Sequence, residues 1–222
     1  MAPISDTKIA CFFYWMAKAE KRLIIVIGSE KTILPLMKYF SKLNTVELVL
    51  WVITTDGNTS VIRALKAVWP DIIIQRCLAH IQRQGLSWLR RYPKLEAAKE
   101  LRKIFLAVAK IESYCQRDKF LNTFMNWEKR YGQSVKLLPS SHKVFGDLQR
   151  ARSLLLNAWP DMFHYLNDSK IASTTNRIEG YFSTIKGRYK QHHGLSKENR
   201  PKYLFWYIYL KNNTQFTNTL PT

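Results

Sequence analysis

Residues 46–75 read VELVLWVIT TDGN TSVIRALKAV WP DIIIQ, and the way this stretch divides decides the fold. Val46–Thr54 is a continuous apolar run, the pattern of an interior strand covered on both faces. It stops at Thr55-Asp56-Gly57-Asn58, a turn signal, because Asp, Gly and Asn each favour backbone conformations that strands do not use. Thr59–Val68 then has helical periodicity and ends before Trp69-Pro70, since the residue ahead of a proline is pushed out of the helical region. Asp71–Gln75 is a second short strand. Strand, turn, helix, strand implies a parallel pair with a crossover helix, hence an α/β core.

Upstream, Ile9–Ala19 (IACFFYWMAKA) reads as a buried strand. Arg22–Ile27 is apolar and either a strand or the start of a helix through Thr32–Leu43. Downstream of about His80 the pattern turns helical and charged. Glu96–Lys110, Gln116–Tyr131 and Lys143–Trp159 predict helices, with Leu138-Pro139-Ser140-Ser141 as a break. Ser173-Thr174-Thr175-Asn176 is an N-cap cluster for a helix through about Tyr189. Tyr203–Lys211 (YLFWYIYLK) closes the chain as a hydrophobic helix or strand. The expected organisation is an α/β core in two parts, 1–85 and 171–222, around an α-helical insertion at 86–170.

Composition narrows the function. With 46% apolar and 13% aromatic residues, the 222-residue chain can bury a substantial core, which argues against disorder. Its 35 Lys and Arg against 16 Asp and Glu leave a net charge of +19, spread over every part of the chain. Such self-repulsion is relieved by a polyanion, and nucleic acid is the usual one. Three widely spaced cysteines, Cys11, Cys77 and Cys115, make no disulfide framework. No apolar run reaches the roughly 20 residues that span a bilayer, and no secretory signal opens the sequence. A cytoplasmic protein with no membrane partner is expected.

Four groups of residues carry possible chemistry. Asp56 ends the strongest strand, the edge where open α/β sheets bind ligands, although an Asp there also serves simply to start a turn. Glu179 lies in an otherwise apolar and basic helix, with Lys186 two turns on and on the same face. The two can grip a metal and a phosphate, or form a solvated surface pair. Cys77 and His80 make a Cys-x-x-His pair, either half of a zinc site or a local packing and site-shaping element. Basic and aromatic residues interleave in Gln84–Tyr92 and Lys186–Tyr203, the mixture that contacts phosphates and stacks on bases.

These residues resemble the Mutator-type transposases of bacterial insertion sequences. The similarity lies in TDGNTSVIRAL (Thr55–Leu65), WPDIIIQRCLAHIQRQ (Trp69–Gln84), TTNRIEGYFSTIK (Thr174–Lys186), HHGLS (His192–Ser196) and FWYIYLKN (Phe205–Asn212), and extends from about Trp15 to Asn213. The resemblance implies a ribonuclease H-like core, a mixed sheet with helices, interrupted by the helical insertion. It implies a DDE transposase that cleaves and joins DNA at element ends. Its two Asp and one Glu would hold Mg²⁺ or Mn²⁺, with Asp56 as the second Asp, Glu179 as the Glu, and Cys77 and His80 shaping the site. Lys186, Arg188, Arg83 and Arg177 are the expected DNA contacts. The expected partners are double-stranded DNA, both transposon ends and target, and further copies of the chain assembled on it, in a bacterial cytoplasm near the nucleoid. The family's Trp-to-Glu stretch falls here at Trp15–Glu20 (WMAKAE), so the first strand, its Asp and the upstream DNA-binding region are expected to be missing, with Asp6 the one candidate replacement. A truncated copy that only binds DNA or joins an intact transposase is the alternative, and a junction-resolvase-like nuclease a third reading.

Overall fold

The computed structural model describes residues 50–191, together with Ser41 and scattered residues between 194 and 210. The strand expected at Ile9–Ala19, the segment at Arg22–Ile27, Asp6 and Cys11 lie outside the described residues. The chain falls into two units, Met1–Thr175 and Asn176–Thr222.

In the first unit, strand β1 (Val52–Thr55), helix α1 (Thr59–Val68) and strand β2 (Ile73–Arg76) form the expected parallel pair with a crossover helix. Val52 is in register with Ile73 and Thr55 with Arg76. The Trp51 carbonyl also accepts a bond from the Ile73 amide at 2.8 Å, so pairing begins one residue ahead of the strand. Helix α1 starts where it does because the Asn58 side chain accepts from the amides of Ser60 and Val61, a cap of about 1 kcal/mol. Its Val61, Ala64 and Leu65 are fully buried, at the i, i+3, i+4 spacing of one helical face. Ile53 and Ile74 are the buried apolar residues of the two strands.

Five helices follow: α2 (Leu78–Leu89), α3 (Glu96–Val108), α4 (Tyr114–Trp127), α5 (Gln133–Leu137) and α6 (Lys143–Ala158). Their apolar faces share one core, in which Leu78, Ile81, Phe105, Phe124, Trp127, Leu148 and Leu155 are among the buried members. Gly85 of α2 permits a close crossing with α3, since a Cβ there would lie 2.1 Å from the Phe105 ring. Between α4 and α5 the chain makes a π-turn over Glu128–Gly132 instead of carrying one helix to Tyr131. Glu128 is fixed there by Arg152 of α6, whose Nε donates to Oε2 at 2.9 Å.

Polar side chains bind the sheet to the segment that follows α6. Gln75, fully buried, donates from Nε2 to the Met162 carbonyl at 2.8 Å and accepts at Oε1 from the Tyr165 amide at 3.2 Å. Tyr165 belongs to the short helix α7 (His164–Asn167). The Thr54 hydroxyl donates to the Ala172 carbonyl at 2.8 Å, and the Leu78 amide to that of Ser173 at 3.0 Å. These bonds cross about a hundred residues of sequence and satisfy groups whose burial would otherwise cost free energy.

The second unit begins with helix α8 (Asn176–Gln191), the helix expected from the Ser173–Asn176 cap cluster. The described residues between Lys202 and Leu210 are helical. The whole is a mixed α/β structure, mostly helical, with a two-stranded parallel sheet among the described residues.

Candidate active site

Asp56 follows the last residue of β1 and is exposed. Its Oδ1 accepts from the Asn58 amide at 3.0 Å and the Thr55 hydroxyl at 3.3 Å. This Asx turn fixes the carboxylate and leaves Oδ2 without a hydrogen bond among the described residues. The turn depends on Gly57, whose φ of +92° lies in the left-handed region that L side chains avoid.

Arg76, at the end of β2, makes a second demand on Gly57. Its guanidinium rests against the glycine backbone so closely that a Cβ would sit 2.1 Å from Cζ. Nη2 donates to the Asp56 carbonyl at 3.4 Å, a long bond. Nε is buried with no partner among the described residues, and the residue is 8% exposed. Burial pushes the pKa of this guanidinium down, opposed through space by Asp161 and Asp56. The sequence names Arg76 only as part of a motif; its contact with Gly57 becomes visible once the two strands are paired.

Cys77 and His80 are brought together by a third residue. The buried Thr175 hydroxyl lies 3.2 Å from the Cys77 Sγ and 3.3 Å from the His80 Nδ1, and the Thr175 amide donates to Sγ at 3.3 Å. Burial alone would push the thiol up, but hydrogen bonds from His80 and Thr175 outweigh it and hold its pKa at about 7. Cys77 also precedes the first residue of α2, where the helix dipole favours a thiolate. Its sulfur is thus engaged inside the protein. Thr175 enters the sequence reading only as a helix cap, and nothing in its local pattern reveals a partner 98 residues away.

Glu179 sits in the first turn of α8, half-buried. The exposed Arg177 and Arg188 share that helix, and Arg83 is exposed on α2. The side chain of Lys186 lies outside the described residues. Among the described residues no three His, Cys, Asp or Glu side chains converge as a metal site, and no helix is long and apolar enough to cross a membrane.

The model of the Mutator family of transposases matches residues 36–193, a span that holds both Asp56 and Glu179 and more than half of the chain. The chain belongs to the Mutator family of transposases. No curated protein matches it. The family match takes in the β1 turn, the whole helical region and all of α8, so the Asp56 turn and the Cys77–Thr175–His80 network belong to the transposase domain itself.

Proposed function

We propose that this transposase is of the DDE type and cleaves and joins DNA in a metal-dependent reaction, with Asp56 and Glu179 as two of its metal-binding carboxylates. In this reading a ribonuclease H-like core is assembled from 1–85 and 171–222 around the insertion at 86–170. The observation that carries the proposal is the Asp56 turn: an exposed carboxylate at the end of a buried strand, one oxygen locked and the other open. Carboxylate oxygens are hard donors, and a fixed one fits Mg²⁺ or Mn²⁺. When bound, divalent cations supply activation of the attacking oxygen and neutralise charge on the leaving oxygen of an in-line displacement at phosphorus.

The chain's own contributions follow from its contacts. Thr55 and the Asn58 amide hold the Asp56 carboxylate in one orientation, so little freedom is lost on binding. Cys77, Thr175 and His80 tie the start of α2 to the residue preceding α8, and the Cys77 amide donates to the Thr55 carbonyl beside Asp56 at 2.8 Å, a site-shaping role. Exposed Arg83, Arg177 and Arg188, with Lys186, supply cations for double-stranded DNA at element ends and target, and copies of the chain assemble on that DNA.

Nicking of supercoiled plasmid DNA by the full chain with Mg²⁺ tests the proposal. Asp56→Asn retains the amide oxygen that completes the Asx turn, so the fold survives while the anionic ligand is lost. This variant and Glu179→Gln are each expected to lower nicking at least about 100-fold with unchanged melting temperature. Undiminished nicking in either variant would sink that carboxylate's assignment. A wild-type chain that binds DNA but does not nick it with Mg²⁺ or Mn²⁺ would instead be a non-catalytic DNA-binding copy.

A further inference from the structure

Beside the Asp56 turn, between Gly57 and one face of α6, lies an open groove of about 440 Å³. Arg150, Ser153 and Asn157 of α6 line it at i, i+3 and i+7, a single helical face. Arg76 and Trp88 also contribute to its wall. No carboxylate lines the groove among the described residues: it presents two guanidinium groups, hydroxyls and the amides of Gln149 and Asn157. Arg150 lies over the Trp88 ring with Cζ 6.0 Å from the centroid and is held from behind by Asp147 at 3.4 Å.

Arg76 gives the groove its chemical demand. The residue is more than nine-tenths buried, and among the described residues its Nε has no acceptor and its one side-chain hydrogen bond is the long one to the Asp56 carbonyl. Asp161 and Asp56 act on this buried cation only through space and do not offset its burial, so an anion bound directly to the guanidinium would relieve the cost. A planar guanidinium in the wall of the groove matches the paired oxygens of a phosphate. The neutral donors on α6 suit the same oxygens, and they would not discriminate between bases.

We propose that this groove is a phosphodiester-binding site, with Arg76 in its wall and Arg150 as second cation, and that it holds the backbone of the DNA strand passing Asp56. It rests on the DNA-processing reading above and adds to it the residues that fix the strand. Because the Arg76 guanidinium lies on Gly57 and bonds to the Asp56 carbonyl, a phosphate held there is registered against the carboxylate through two residues.

The test uses the full chain with two probes, inorganic phosphate and a short DNA duplex. Phosphate should raise the wild-type melting temperature saturably over chloride at matched ionic strength. Ser153→Glu, at an exposed position facing the groove, adds an anion where the phosphate would sit. Arg150→Gln removes the second cation, and Arg117→Gln, half-buried on α4 and outside the groove lining, controls for net charge. Ser153→Glu and Arg150→Gln should abolish the phosphate shift and weaken duplex binding about tenfold or more, against less than about twofold for Arg117→Gln. Arg76→Gln should do the same if it folds; the two α6 variants decide the question if it does not. Groove variants that bind both probes like Arg117→Gln would overturn the proposal. A phosphate shift lost in Ser153→Glu with unchanged duplex affinity would leave a small-anion site and overturn the DNA assignment. Loss of nicking in Asp56→Asn and Glu179→Gln reads the catalytic proposal separately, since neither residue lines the groove.

Discussion

Gly57 meets two requirements that no other residue satisfies together. Its positive φ turns the chain so that the Asp56 carboxylate faces out, and its missing Cβ leaves room for the Arg76 guanidinium. Gly57→Ala should therefore cost about 2 kcal/mol or more, from the strained backbone and the displaced arginine together, read as a lower denaturation midpoint. A cost within a few tenths of a kcal/mol would show that the turn relaxes freely. Cys77 makes a prediction in pH. Its thiol is held at about 7 in the folded chain, below the ordinary value of 9.0. A depressed acid stabilises the fold above its unfolded pKa, and that contribution is lost as pH falls through the folded one. Stability should thus rise between about pH 7 and 9, by on the order of 1–2 kcal/mol, and the rise should vanish in Cys77→Ser. A rise that persists in Cys77→Ser would assign it to another group.

At the scale of elements, β1, α1 and β2 are legible because their signals are local: an apolar run, a turn of Asp, Gly and Asn, and a proline stop. Helices α3, α6 and α8 are legible for the same reason, through periodicity and capping. What periodicity misses is the π-turn at Glu128–Gly132, where one widened turn shifts the helical phase and the reason for it, Arg152, lies on another helix. The candidate site divides in the same way. Asp56 and the Cys77–His80 spacing are visible in the sequence, whereas Arg76 on Gly57 and Thr175 on Cys77 are tertiary contacts that no local pattern encodes. Helix α8 carries a prediction of its own. Gly180 and Gly187 are exposed, with nothing among the described residues within 4 Å of a Cβ at either position, and Arg177 and Arg188 flank them. Glycine is a poor helix former, so Gly187→Ala should stabilise α8 by about 0.5–1 kcal/mol. If DNA approaches the bare backbone there, the same substitution weakens duplex binding. Higher stability with unchanged DNA affinity would remove this face from the DNA interface.

For the whole molecule the governing quantity is the net charge of +19, and it makes salt act in opposite directions on two measurements. Without DNA, like charges repel across the folded chain, and added salt screens them over a Debye length of about 10 Å at 0.1 M. The melting temperature should therefore rise from low to moderate NaCl. With DNA, the same cations displace counterions condensed on the duplex, and each phosphate neutralised adds about −0.9 to the slope of log affinity against log salt. If six phosphates are engaged, affinity falls roughly 1,000-fold between 50 and 200 mM. Titrating one labelled duplex across that range, beside melting curves in the same buffers, separates the two effects. Affinity that holds steady while the melting temperature rises would mean that the positive charge is only a surface property, and the DNA partner would have to be given up. Affinity that falls while the melting temperature rises would place the cations in the complex, where the polyanion replaces salt as the agent that relieves their repulsion.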